Sequence, residues 1–245
     1  MSGVLNNPVL AFRQAGRAAQ ETRDLARIAK EPDIARSMAQ FKQAVERAPD
    51  AATALRDPRV LAVLGTALGL PEVASQAGLA RRALLADPAD PNSLPNRLSD
   101  KRWLAMARTL NLAKGGIEAL RDPKLQASLL EGLKGARRRE ELEAQNQGVG
   151  DALLFQQKAA NAKNSIDVLG DPILRRVVTG ALGLPRELAV QSVEAQVRAV
   201  DTRLDITKLQ NPREVQRLAE RYLTNLATAN AAGGSFALPG YRFNA

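Results

Sequence analysis

Five oxygen-bearing side chains crowd one short stretch of the chain: Asp87, Asp90, Asn92, Asn96 and Asp100. Hard cations such as calcium take ligands of this kind. A calcium loop also needs acids at alternate positions, a glycine and a distant bidentate Glu. Here Asp87 and Asp90 stand three apart and each precedes a proline. That spacing reads as turn formers and helix caps, so no metal site and no cofactor is assigned. The chain has no His and no Cys. A Ser-His-Asp triad, a Cys-His dyad and the familiar zinc sites therefore cannot be built. Acid–base work by two carboxylates would need one acid in a dry pocket with a raised pKa, and the acids here fall at caps and on polar faces. Gly115-Gly116 and the Gly132/Gly135 pair lack the GxxxxGK[ST] pattern of a phosphate loop. Trp103, Met106 and Leu110 recur at helical spacing and read as core. No catalytic residue is assigned, and the chain reads as a non-enzyme.

The second candidate chemistry is anion binding. The formal net charge is +9, a sign that suits nucleic acid or an anionic surface. The tight cluster is Lys134, Arg137, Arg138 and Arg139, and Glu140, Glu141 and Glu143 follow at once. A solvated helix face explains that pattern better than a phosphate patch. Aromatics are only 3% of the chain, too few for a base-stacking platform. Nucleic acid thus stands as the alternative reading, not the first.

The elements that must position these groups are short helices. Hydrophobic residues repeat at period 3.6, as in Ile34, Met38, Phe41 and Val45. Asp57-Pro58 then opens a helix bearing Val60, Leu61, Val63 and Leu64. The Asp carboxylate accepts orphan amide hydrogens of a first turn, and Pro at the first position loses no hydrogen bond. Gly69 supplies a left-handed end, Leu70 folds back, and Pro71 blocks continuation. Asp122-Pro123, Asp171-Pro172 and Asn211-Pro212 repeat the start signal, and Ser99 or Asp100 caps the helix of Trp103. Asp151 is placed as the cap of the helix after the polar stretch 137–150. Gly65 and Gly180, inside apolar runs, predict close helix packing.

An ungapped comparison of Phe41–Pro71 with Phe155–Pro185 finds 12 identities in 31 positions. The shared residues are caps, turn glycines and core stripe positions. Each copy has an apolar face it cannot cover alone, which tandem packing covers. The expected fold is all-α, a multi-helix bundle of two tandem related repeats. Its expected domains are 1–145, an N-terminal repeat with connector; 146–232, a C-terminal repeat; and 233–245, a flexible tail. That tail follows Gly233-Gly234-Ser235 and carries Phe236, Tyr241 and Phe243. It either docks on a partner or folds back on its own domain.

One run carries a resemblance. Asp90-Pro91-Asn92-Ser93-Leu94-Pro95-Asn96-Arg97-Leu98-Ser99-Asp100-Lys101-Arg102-Trp103, then Leu104, Ala107 and Leu110-Asn111-Leu112, resembles the signature of the bacterial domain-of-unknown-function family 1217. That hallmark looks like an Ala-Asn-Arg-Leu-Ser-Asp-x-Arg-aromatic run. Asp57, Arg59, Val60, Ala67, Leu68, Gly69 and Leu70 resemble its upstream segment, and Arg23–Ala29 with Glu31-Pro32 its opening. Pro95 stands for the usual Ala, Leu110 for the usual Phe, and the second copy has Lys208-Leu209-Gln210-Asn211 in place of Arg-Leu-Ser-Asp. The resemblance covers residues 20–112 well and the second copy to about 230 loosely. It implies a motility-associated structural, adaptor or assembly role, because such proteins are encoded in flagellar gene clusters. The expected partner is a protein, a flagellar component. The expected partner-binding residues are Asn96, Arg97, Ser99, Asp100 and Arg102, of which Asn96, Ser99 and Asp100 act mainly as caps, with Phe236, Tyr241 and Phe243 of the tail. The first thirty residues hold no unbroken apolar run, since Arg13, Arg17, Arg23 and Arg27 interrupt it. We therefore expect no cleaved signal and no membrane insertion, and a cytoplasmic or flagellum-associated protein.

Overall fold

The computed structural model describes residues 7–231, apart from the side chain of Arg186. The described residues form fifteen α-helices and four short 3-10 turns, with no strand among them. The chain opens with α1 (Pro8–Ala15), α2 (Ala18–Ile28), α3 (Pro32–Arg47), α4 (Ala51–Ala54) and α5 (Pro58–Leu68). A 3-10 turn at Pro71–Gln76 leads to α6 (Ala77–Leu84), α7 (Leu94–Arg97), α8 (Arg102–Leu110), α9 (Leu112–Arg121) and α10 (Pro123–Gln145). Then come α11 (Val149–Lys158), α12 (Ser165–Gly170), α13 (Pro172–Ala181), α14 (Val193–Asp201) and α15 (Pro212–Ala231). The all-α expectation holds. No helix among the described residues is long and apolar enough to cross a membrane.

Two compact units divide the chain. One is residues 17–141. The other joins residues from 142 onward with the N-terminal segment through Gly16. Sequence order had placed α1 in the first unit. It belongs to the second because an eight-residue helix must bury its apolar side somewhere. Phe12 and Ala15 are buried in the same core as Phe155 and Leu223, and Arg13 pairs with Glu220 of α15 at 2.7 Å.

The repeated sequence signals give repeated geometry. Asp57 accepts from the Arg59 amide at 2.8 Å, and Asp171 from the Ile173 amide at 2.8 Å. Gly69 and Gly183 both take positive φ, 78° and 64°, a conformation that costs an L side chain but not glycine. One residue on, Leu70 donates its amide to Gly65 O at 2.8 Å and Leu184 to Thr179 O at 2.9 Å. That six-to-one bond closes a Schellman turn and satisfies an orphan carbonyl. Leu70 and Leu184 are both buried. Phe41 and Phe155, one offset apart, are both fully enclosed, each in its own core.

The two apolar-run glycines mark close packing, as their setting predicts. A Cβ on Gly65 would lie 2.6 Å from Val73 Cγ1, and one on Gly180 would lie 2.7 Å from the Tyr222 ring. Asp151 is not the cap of α11. It lies inside the first turn and pairs with Arg176 at 2.6 Å. The capping falls to Glu143, whose carboxylate accepts from the Gly148 amide at 2.7 Å and the Gly150 amide at 3.1 Å. An acid five residues upstream can reach there because α10 ends at Gln145 and the chain turns at once.

Candidate functional site

Arg102 is the pivot of the signature segment. Its backbone amide donates to Asp100 Oδ1 at 3.0 Å, which makes Asp100, rather than Ser99, the capping acid of α8. Its guanidinium reaches three ways. Nη2 donates to Asp100 Oδ2 at 2.7 Å and to Glu72 Oε1 at 3.0 Å, and Nη1 donates to Gly69 O at 3.0 Å. The side chain is only 16% exposed, so these charge-assisted bonds act with little screening. Burial by itself would lower the guanidinium pKa, but Asp100 and Glu72 outweigh it and hold the group above the ordinary Arg value. Arg102 thus ties the start of α8 to the end of α5 and to the 3-10 turn after it.

Asn96 braces the preceding loop. Its Nδ2 donates to Pro88 O at 3.0 Å, to Asp90 O at 2.8 Å and to Ser93 Oγ at 3.2 Å. Asp87 Oδ1 accepts from the Ala89 amide and Asp90 Oδ1 from the Asn92 amide, both at 2.9 Å. These are Asx turns, the structure expected of Asp before Pro-rich sequence. Lys101 Nζ donates to Asn96 O and Leu98 O at 3.4 and 3.3 Å. Arg97 and Ser99 are exposed. Among the described residues, no group of three or more acids gathers as a metal ion requires.

Of the predicted contact residues, then, Asn96, Asp100 and Arg102 have their polar groups engaged in building the loop, and Asn96 also lines its outer face. What the loop presents outward is an open concavity of about 500 Å³, lined by Pro88, Ala89, Pro91, Asn96, Arg108 and Asn111. Arg108 was not singled out in the sequence, and Asn111 entered only within the Leu110-Asn111-Leu112 part of the resemblance, not as a contact. The available signal for Asn111 was its place between two helices. It sits at φ 47°, ψ 42°, the left-handed region that Asn tolerates best after Gly. Arg108 follows the polar face of α8 and carried no distinguishing signal. Phe236, Tyr241 and Phe243 lie outside the described residues. A second, apolar groove of about 230 Å³ runs between α3 and α10 beside Met38, Lys42 and Leu130.

The basic cluster of α10 is spent internally. Arg137 pairs with Glu31 at 3.1 Å and Glu140 at 3.2 Å. Arg138 is buried and pairs with Asp24 at 2.9 Å and Glu21 at 3.5 Å. Lys134 pairs with Glu131. Desolvation lowers the pKa of the half-buried Arg139 guanidinium. Each feature opposes capture of a phosphate from solvent, since the phosphate would have to displace a carboxylate or enter a desolvated position.

One solved structure resembles the chain closely in fold. A crystal structure of an Agrobacterium tumefaciens protein superposes with a TM-score of 0.76 at 24% identity, over 94% of this chain and 98% of that one. No curated protein matches the sequence. The family described as "Protein of unknown function (DUF1217)" matches residues 67–215. That span runs from the end of α5 through the Arg102 brace and the signature loop into α15, and it covers most of the chain: the protein belongs to this family.

Proposed function

We propose that the protein is a non-enzymatic helical adaptor or structural component that acts through protein–protein contacts and is associated with the flagellum. The observation that carries the reading is how the signature segment is used. Its polar residues fix one loop in place, and the face left outward is a shallow concavity edged by Arg108, Asn111 and exposed Ala89 and Pro91. Preformed surfaces of this kind lower the ordering cost of binding a partner. The flagellar part of the reading rests on the resemblance of the Asp90–Trp103 run to proteins of flagellar gene clusters.

The test is a chromosomal deletion in the encoding bacterium, scored by swimming and by imaging of flagella. Wild-type protein restores motility. Arg108→Glu and Ala89→Arg, both at exposed positions, fail to restore it while keeping the wild-type melting temperature. A deletion strain that swims and assembles flagella normally removes the flagellar reading.

A further inference from the structure

We propose that the concavity of the signature loop binds an acidic, extended segment of a partner protein, with the Arg108 guanidinium as its carboxylate anchor. This rests on the adaptor reading and names the chemistry of the partner.

The argument starts from which cations are committed and which are not. On α10 the arginines look most basic in sequence, yet Arg137 and Arg138 each hold carboxylates of the same unit. Cations outside the ion pairs occur along the chain, Arg175 of α13 among them, and five belong to the elements around the signature loop. Arg82 at the end of α6, Arg97 at the end of α7, Lys101, Arg108 on α8 and Lys114 on α9 are all exposed. None of the five makes an ion pair among the described residues. Their elements are neighbours: α6 packs on α7 and α8, and α8 on α9.

Only Arg108 of these lines the concavity itself, beside the exposed Asn111. A free guanidinium offers five donors in a planar fork that matches a carboxylate bidentately. Asn111 adds an amide that suits a peptide group. Pro88, Ala89 and Pro91 supply an apolar wall with no side-chain donors of their own. An open concavity with one charged anchor, one amide and an apolar wall fits an extended backbone better than a small molecule, which needs enclosure.

The acids nearby do not cancel this field. Asp87 and Asp90 keep their charge and Asp100 is held by Arg102, but residues 81–114 carry seven Lys or Arg against these three acids, and none of the three lines the concavity. The chain's own residues 232–245 include Arg242 and no Asp or Glu, so they do not match the site's charge.

The test is an amide NMR titration of the full chain with an octaglutamate peptide at low salt. Shifts concentrate in residues 88–114. Arg108→Glu weakens the peptide by about tenfold or more, the scale of losing one charge-assisted anchor. Arg175→Glu makes the same charge change at an exposed position of α13 and weakens it by less than about twofold, as a remote surface charge should. Equal weakening by both variants, shifts outside 88–114, or equally tight binding of an oligothymidylate would each overturn the proposal, because attraction would then be net charge alone. The two readings separate cleanly. Peptide binding lost in Arg108→Glu with motility fully restored upholds this inference and removes the flagellar part of the reading. Motility lost in Arg108→Glu with no peptide binding by the wild type overturns this inference and leaves the adaptor role standing.

Discussion

The two repeats solve the same structural problem with different chemistry. In each, the Asp-Pro helix runs into a Gly-Leu-Pro turn, and a side chain from a later helix meets carbonyls at the turn or in the last residues of the helix. In the first copy the Gly69 carbonyl is met by the Arg102 guanidinium, itself locked between Asp100 and Glu72. In the second, the Gly180 and Ala181 carbonyls are met by the neutral Asn225 amide at 2.9 and 3.2 Å. The connections differ as well. Residues 85–101 join α6 to α8, seventeen residues, where residues 202–211, ten residues, join α14 to α15. The longer connection forms the concavity. The shorter one is a plain 3-10 turn capped by Asp205. Duplication preserved what holds a copy together, the caps, the turn glycines and the core phenylalanines. The charged brace and the long loop belong to one copy, and that asymmetry is why the proposed contact face lies on the first unit.

Breaking the two braces gives the largest expected difference. Arg102→Ala leaves Glu72 and Asp100 without their cation in a site that is mostly shielded, which costs about 3 kcal/mol or more. Asn225→Ala removes two neutral hydrogen bonds and costs about 1 kcal/mol. Native-state hydrogen exchange reads the units separately. Arg102→Ala accelerates exchange in residues 17–141, and Asn225→Ala does so, more weakly, in residues 142–231. Equal costs for the two would mean that the charged brace is no stronger than the amide and that the asymmetry is incidental.

The glycines sharpen the comparison at a smaller scale. Gly65 and Gly180 are one position out of register between the copies, and they face different neighbours. A Cβ at 65 meets the Leu70 carbonyl at 2.7 Å as well as Val73, so backbone must move. A Cβ at 180 meets only the Tyr222 ring. Overpacking costs typically fall at about 1–3 kcal/mol, and Gly65→Ala should lie above Gly180→Ala within that range. Thermal unfolding of the two single variants checks the order. The reverse order would show that the ring of Tyr222 is the more rigid wall.

How much of this was legible depended on whether a signal was local. Caps and turns are local: Asp57, Asp171, Gly69 and Gly183 announce their roles within four residues, and the stripe of α3 is buried at Ile34, Met38, Phe41 and Val45. The Asp50 and Asn164 caps, one repeat offset apart, accept from Thr53 and Asp167 amides, yet identity counting passes over them because the residue types differ. Partners distant in sequence were not legible. Nothing in the order of residues says that Arg102 finds Glu72, that Arg138 finds Asp24, or that α1 joins the second unit. The signature residues are expected contacts because the resemblance singles out that run, with Asn96, Ser99 and Asp100 acting mainly as caps. Asn96, Asp100 and Arg102 are engaged within the first unit, Arg97 and Ser99 are exposed, and of the other outward residues Arg108 is an ordinary helix position while Asn111 is the left-handed link between α8 and α9.

The smallest expected effect separates the two Asp-Pro caps by pH. Burial tends to raise the Asp171 carboxyl, but the Lys158 ammonium at 2.8 Å and the amides of Leu174 and Ile173 prevail and hold it below the ordinary Asp value of 3.8. Asp57 is also held low, chiefly by hydrogen bonding from Arg59, but that guanidinium is 54% exposed and well screened. A carboxylate whose pKa falls on folding adds stability that is fully present above its unfolded pKa and vanishes as pH drops through the folded one. An Asn at either position keeps an oxygen for the cap amides and loses only the ionic component. Asp171→Asn should therefore flatten the loss of stability of the C-terminal unit as pH falls through and below the ordinary Asp value of 3.8, while Asp57→Asn changes the N-terminal unit's profile little. Urea unfolding at stepped pH measures both. Flattening as large in Asp57→Asn as in Asp171→Asn would place the acid sensitivity in the shared cap rather than in the Lys158 pair. The two copies would then differ in their loops and braces but not in their electrostatics.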